Sequence, residues 1–328
     1  MKRLGLFALS FIVALGIAGG GVFIWGYGQF VQPGSLVMER AVVIPKGSGL
    51  DRITTTLVNA GIIADPMVFK IGVQLRKDAG KLRAGEFAFP AKTSPMEAAE
   101  ILKNGKTVVR KVTFPEGLSS YQIVDILNRT EGLIGDVALV PGEGALLPET
   151  YHFSFGDDRA ELLRRMSFKM QDALENLWRK RSSDLPFKRM EEATILASIV
   201  EKETGQHAER PLVAAVFINR LRRGMRLQSD PTVVYGLTEG KGPLGRALTR
   251  QDWKIDSPFN TYRIKGLPPS PIANPGLASL QAVFNPAKTK DLYFVADGTG
   301  GHVFARTLRE HNRNVANWRK FKKLRDGH

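Results

Sequence analysis

The sequence predicts an α+β protein: a single N-terminal transmembrane helix, a small α+β module and a larger mixed α/β domain. Three observations carry that prediction. After Met1-Lys2-Arg3, residues 4–25 contain no charged side chain. Over residues 40–110, strands alternate with short amphipathic helices punctuated by proline and glycine turns. Further along, Ile195-Leu196-Ala197-Ser198-Ile199-Val200-Glu201-Lys202-Glu203-Thr204 places carboxylates on an apolar helical pattern.

The composition narrows the function classes. A chain of 328 residues has room for two or three domains, and 43% hydrophobic with 24% charged residues is globular composition, which rules out a disordered chain. Lys and Arg number 47 against 32 Asp and Glu, giving +15, so the expected partner is anionic: nucleic acid, anionic lipid or an acidic wall polymer. The basic residues cluster only at Arg220 to Arg226 and Arg319 to Arg325, and no helix-turn-helix, zinc-finger or RNA-binding motif is present, which argues against nucleic acid. With no cysteine, disulfides, thiolate nucleophiles and cysteine-bound metals are excluded, and the histidines lack ligand spacing; no metal and no cofactor are expected.

At about 1.5 Å per residue the uncharged run is long enough to cross a roughly 30 Å hydrocarbon core. Lys2 and Arg3 precede it, so the positive-inside rule leaves the N-terminus in the cytoplasm and sends everything after about Gln32 across the membrane. Ala18-Gly19-Gly20 is small enough for signal cleavage, but the apolar run continues through Val22, Phe23 and Ile24, beyond a usual h-region of about 7 to 15 residues. An uncleaved anchor over residues 1–31 is the expectation.

An internal echo organises the next part. Val43-Ile44-Pro45-Lys46-Gly47 leads into a helix carrying Ile53 and Leu57; Thr113-Phe114-Pro115-Glu116-Gly117 leads into one carrying Ile123 and Leu127. Between them, Asp65-Pro66 starts a helix, residues 82–89 read as a strand, and Ser94-Pro95-Met96-Glu97 is a capping box for a helix stopping at Asn104-Gly105. These make a module over residues 40–110, suited to packing or to glycan binding, and the second echo opens the next domain. There, residues 142–151 read as loop, 159–179 and 191–204 as helices, and Pro211 opens a helix ending at Gly224. The rest reads as loop-dominated, including residues 227–236, 257–262 and 266–276. A hairpin across Asp297-Gly298-Thr299-Gly300-Gly301 and a basic helix close the chain.

Glycoside chemistry ordinarily uses two carboxylates. The candidates near the apolar helix are Glu201, Glu203, Glu209, Asp230 and Asp256. At about 100° per residue Glu203 projects near the centre of the apolar stripe and Glu201 near its edge, so the two diverge and cannot flank one bond. Burial raises a carboxyl's pKa, as a general acid near neutral pH requires, so a single acid at Glu203 is the simpler proposal. The competing reading is a helix-terminal carboxylate bonded to Arg210 or a neighbouring loop.

The run from Ala197 to Thr204, with Val216-Phe217-Ile218-Asn219-Arg220-Leu221, Met225-Arg226-Leu227-Gln228-Ser229-Asp230-Pro231-Thr232-Val233, Asn260-Thr261-Tyr262, Gly266-Leu267-Pro268-Pro269, Asn274-Pro275-Gly276 and Gly301-His302, strongly resembles the MltG (YceG-like) family of membrane-anchored endolytic murein transglycosylases. The resemblance implies a LysM-like module at residues 40–110 and a YceG-like catalytic domain at 111–328. It implies a lyase of the inner membrane, single-pass, with its catalytic domain in the periplasm. Such an enzyme cuts peptidoglycan between N-acetylmuramic acid and N-acetylglucosamine, leaves 1,6-anhydro ends and limits nascent strand elongation; peptidoglycan synthases are candidate partners. The family's single glutamate matches Glu203, with Glu201 the runner-up. Gln228, Asp230, Asn260 and Tyr262 match family motifs as substrate-binding or supporting residues, and Ser198 and Thr204 lie near enough along the helix to orient the acid. The alternatives are a non-catalytic peptidoglycan-binding scaffold and a lysozyme-type muramidase.

Overall fold

The computed structural model describes residues 2–326, with side chains for 11–324. Lys2 and Arg3, which carry the expectation of a cytoplasmic N-terminus, have side chains outside the described ones.

The chain divides into two compact units, one holding residues up to Arg110 together with His152–Asp157, the other Lys111–Tyr151 and Asp158 onward. Helix and strand are mixed in both. The first unit begins with α1 (Lys2–Val31), of which Phe11–Val31 is apolar and long enough to cross a membrane, its most apolar stretch unburied. Then come β1 (Arg40–Ile44), α2 (Leu50–Asn59), α3 (Pro66–Leu75), β2 (Gly85–Phe89) and α4 (Pro95–Asn104). β1 pairs antiparallel with β2, Val42 opposite Phe87, and Ile44, Phe87 and Phe89 point into a core completed by Leu57, Phe69 and Leu102. Local chemistry sets the boundaries. Asp65 accepts from the Met67 and Val68 amides to start α3, and Ser94 and Glu97 cap each other's backbone at α4. Only Gly85–Phe89 of the expected 82–89 strand pairs as a strand; Ala79–Lys81 forms a 3₁₀ turn before it.

β3 (Val109–Thr113) leads to the second unit, with α5 (Ser120–Arg129), β4 (Leu133–Ile134), β5 (Thr150–Ser154) and β6 (Asp157–Asp158). Both echoed turns place their glycine at positive φ, Gly47 at 76° and Gly117 at 75°, conformations that a side chain would strain. Next come α6 (Arg159–Arg179), α7 (Met190–Glu203), α8 (Arg210–Arg222), α9 (Asp230–Thr238), α10 (Leu277–Phe284), the antiparallel hairpin β7 (Tyr293–Ala296) and β8 (His302–Ala305), and α11 (Leu308–Asp326). The core of this unit lies where α7, α8 and α10 meet, around Leu196, Val200, Val213, Phe217, Leu280 and Phe284.

Two expectations are corrected. Residues 227–236 are not loop, because α9 begins at Asp230; Pro231 sits in its first turn, where a missing N–H costs nothing and the fixed φ favours the helix. The one-sided stripe on α7 is also wrong. All of Ala193 to Val200 is buried, so the helix is enclosed on every side and its period does not separate Glu201 from Glu203.

Candidate active site

What separates the two glutamates is their partners. Glu201, expected near the edge of an apolar face, has only 5% of its side chain exposed. Its carboxylate accepts from Arg210 Nη2 at 2.9 Å and from the Gly276 amide at 2.9 Å. Arg210, itself buried, also donates to Glu116 of the second echoed turn at 3.1 Å, and Lys202 Nζ donates to the Gly117 carbonyl. The charge of Glu201 is thus matched by a guanidinium, and the reading that gave Arg210 to Glu203 is corrected.

Glu203 is half-buried at the last residue of α7 and, among the described residues, joins no ion pair. Its Oε1 accepts from Ser229 Oγ at 2.5 Å. Burial pushes its pKa up to about 7; the Ser229 hydrogen bond opposes the rise, the nearby charge of Asp230 adds to it, and the charges of His302 and Arg220 oppose it.

Ser229 occupies the N-cap position of α9 yet makes no cap, its hydroxyl being committed to Glu203. The buried residue is fixed on both sides. Its amide donates to Thr261 Oγ1 at 3.0 Å, its carbonyl accepts from Thr232 Oγ1 at 2.6 Å, and those two hydroxyls are 2.8 Å apart. Asp230, the next residue, accepts on one oxygen from both Tyr262 OH at 2.7 Å and Trp253 Nε1 at 3.0 Å. The Trp253 and Tyr262 rings stack with centroids 5.7 Å apart. Burial, then the bond to Asp230 and the charges of Asp230 and Glu203, push the Tyr262 phenol well above its ordinary range, so it stays a donor.

Two further groups complete the surroundings. Arg220 is buried, donating to the Leu292 carbonyl at 2.7 Å and the Leu227 carbonyl at 2.6 Å, with its guanidinium 5.3 Å from the Tyr293 ring centre. It is therefore an internal cation and no part of a surface cluster. Glu209 accepts from the His302 amide and pairs with His302 Nδ1, each at 2.7 Å. Burial pushes its carboxyl up, but the His302 bonds outweigh this and hold it below the usual carboxylate range.

The fold thus gathers Glu203, Asp230 and Tyr262 and turns other expected residues to different work. Ser198, expected to orient the acid, donates to the Ile195 carbonyl and accepts from the Ile272 amide at 3.0 Å, pinning the 270–273 loop. Thr204 donates to Glu209 at 3.3 Å, not to Glu203. Asn260 is fully buried and fixes its own loop through the Trp253 and Ile255 carbonyls. Gln228 is exposed, with φ of 55°, and its amide donates to the Thr261 carbonyl. Asp256 is exposed beside Arg263. Asn274 joins the Leu118, Ser120 and Leu146 segments and lies in the scaffold. Sequence reasoning missed Ser229, although it lies inside a quoted motif, and Trp253, whose indole Nε1 donor was the signal available.

Residues 42–317 match the sequence profile of the YceG-like family. The chain belongs to the YceG-like family. Relatives include an endolytic murein transglycosylase of Streptococcus pneumoniae serotype 2 (strain D39), 30% identical over 94% of this chain and 64% of its own length. One of the same name from Bacillus subtilis (strain 168) is 28% identical over 90% of this chain and 89% of its own. The chain thus spans less than two thirds of the pneumococcal relative's length. The crystal structure of a yceG-like protein from Listeria monocytogenes aligns with a TM-score of 0.50 and 29% identity, covering 84% of this chain and 99% of that one. The YceG-like match takes in every residue of the site described above.

Proposed function

We propose that this YceG-like chain is an endolytic peptidoglycan lytic transglycosylase with Glu203 as its single acid and base. The observation that carries the reading is the contrast along one helix turn: Glu201 is ion-paired with Arg210, whereas Glu203 joins no ion pair among the described residues and, with its pKa pushed up to about 7, holds a proton near neutral pH. The name shared by the relatives supplies the reaction class.

In this reading Glu203 protonates the oxygen bridging N-acetylmuramic acid to the next sugar, and the bond to the anomeric carbon breaks with its electron pair leaving on that oxygen. The carboxylate so formed takes the proton of the muramic C6 hydroxyl as that oxygen attacks the anomeric carbon. This closes the 1,6-anhydro ring without water and returns the acid to its starting state. Because Ser229 donates to Oε1, the travelling proton belongs on Oε2, and the same hydrogen bond stabilises the carboxylate midway. Asp230 is kept near by Tyr262 and Trp253, and its negative charge favours the positive charge that develops at the anomeric carbon. Gln228 on the exposed rim is the candidate for the substrate's acetamido or hydroxyl groups.

The remaining proposals concern placement. Helix α1 anchors the chain in the inner membrane with the N-terminus cytoplasmic. Residues 40–110 form a LysM-like glycan-binding module and 111–328 the periplasmic catalytic domain, which limits nascent strands beside peptidoglycan synthases. Mass spectrometry of products from purified sacculi tests the reaction: anhydro-muramic ends are expected, whereas reducing muramic ends would assign a lysozyme-type hydrolase and no release a binding scaffold.

A further inference from the structure

Helix α3 has a face that the rest of its unit leaves uncovered. Val68, Phe69 and Val73 are buried in the core, while Met67, Ile71 and Leu75 are 68%, 48% and 64% exposed. Their spacing at i, i+4 and i+8 makes one apolar stripe. Three large aliphatic side chains in line on a ten-residue helix are poorly suited to contact with water.

The stripe lies beside α1. Gly72 brings the two helices together, since a Cβ there would fall within the Phe30 ring's contact distance. Alongside this contact runs a groove of about 610 Å³, lined by Val22, Phe23 and Tyr27 of α1 and by Met67, Ile71 and Leu75 of α3. Phe23 and Tyr27 are themselves 60% and 59% exposed and belong to the Phe11–Val31 segment. Whatever surrounds α1 at this level therefore also fills the groove.

We infer that α3 is a membrane-interface helix and that the groove between it and α1 takes an acyl chain of a membrane lipid. The inference rests on the reading of α1 as a membrane span. Four features favour lipid as the occupant. The groove is continuous with the exposed apolar surface of the span. Trp25 and Tyr27, residues that favour the headgroup level of a bilayer, lie at the same height along α1 as α3. The backbone of α3 is satisfied by its own helix bonds and by the Asp65 cap, so it enters an apolar medium without stranded donors. Exposed Lys77, just past the C-terminus of α3, suits lipid phosphate. The unit is then held at the bilayer by two contacts, a span and a flat-lying helix, which restricts its swing relative to the membrane.

Because the chain has no cysteine, single-site labelling is direct. The full chain carrying Ile71→Cys, Leu75→Cys or Phe23→Cys is labelled with nitrobenzoxadiazole and reconstituted in phosphatidylethanolamine–phosphatidylglycerol vesicles, with and without nitroxide-bearing acyl chains. Circular dichroism confirms folding; these exposed positions should tolerate the change. The expected result is blue-shifted emission and at least twofold quenching by the acyl nitroxide at Ile71, Leu75 and Phe23. Quenching at Phe23 with none at Ile71 and Leu75 overturns the inference and leaves the span intact. Blue-shifted but unquenched emission at Ile71 also overturns it, in favour of a protein or second copy over the stripe. No quenching at any position removes the span reading itself.

Discussion

The proton on Glu203 is governed by its neighbours: burial and the charge of Asp230 hold it on, while the Ser229 hydrogen bond and the charges of His302 and Arg220 draw it off. If Glu203 is the general acid proposed above, it must be protonated to act, and kcat/KM should fall as pH rises through about 7, close to tenfold per pH unit above it. Asp230→Asn removes a charge that keeps the proton on, and the descending limb should move to lower pH; Ser229→Ala removes a bond to the carboxylate and should move it higher. A pH profile for each variant checks both signs. Stability follows the same group. Its folded pKa of about 7 lies above the ordinary 4.5, so between these values the folded chain holds more protons than the unfolded one and stability declines as pH rises. Glu203→Gln should therefore be more stable than the wild type at pH 8, by on the order of 1–3 kcal/mol, with the gap closing below about pH 4.5, as thermal unfolding across pH will show. Glu203 itself was legible as a carboxylate in an apolar helix. Ser229 was not, because it lay in a stretch that read as loop, and only the folded structure shows its hydroxyl committed to Glu203.

Helix α7 is fastened at its C-terminal end by α8 and by the turn at Glu116, through Arg210 and Glu201. Arg210→Met leaves the buried Glu201 without its counter-charge and should cost about 3–5 kcal/mol, read as a lowered midpoint in urea. Glu201→Gln leaves Arg210 its bond to Glu116 and should cost less. The elements carrying this brace were predictable where end signals and period agreed: the Ser94 box of α4, the Asp65 cap of α3 and the Pro-x-Gly turns all appear as read. Helix α9 was missed because its nine residues, with only Thr232 and Val233 buried, are too short to show a clear helical period. The stripe on α7 misled for a related reason. A period describes one face against another, and tertiary packing here covers both.

The mixture of helix and strand and the apolar N-terminal helix match the coarse plan of the sequence, which followed from runs of composition that no single contact determines. The net charge of +15 is also a whole-molecule property, with Arg319, Lys320, Lys322 and Lys323 exposed on α11. If attraction to anionic wall or lipid underlies binding, retention on sacculi should weaken several-fold between about 0.05 and about 0.5 M salt, as screening shortens from beyond about 10 Å to a few ångströms. The details of the site escaped the sequence because they join residues far apart in the chain, Glu203 to Ser229 and Asp230 to Tyr262, whose pairing depends on how α7, α9 and the 253–262 loop fold together. The central claim, one acid at Glu203 working without water, is tested most directly by mass spectrometry of glycan ends released from sacculi by wild type, Glu203→Gln and Glu201→Gln, each shown to be folded. Anhydro-muramic ends from the wild type and from Glu201→Gln, with release by Glu203→Gln reduced at least a thousandfold, is the predicted result; anhydro ends from Glu203→Gln at near wild-type rate, or their loss only in Glu201→Gln, would contradict it.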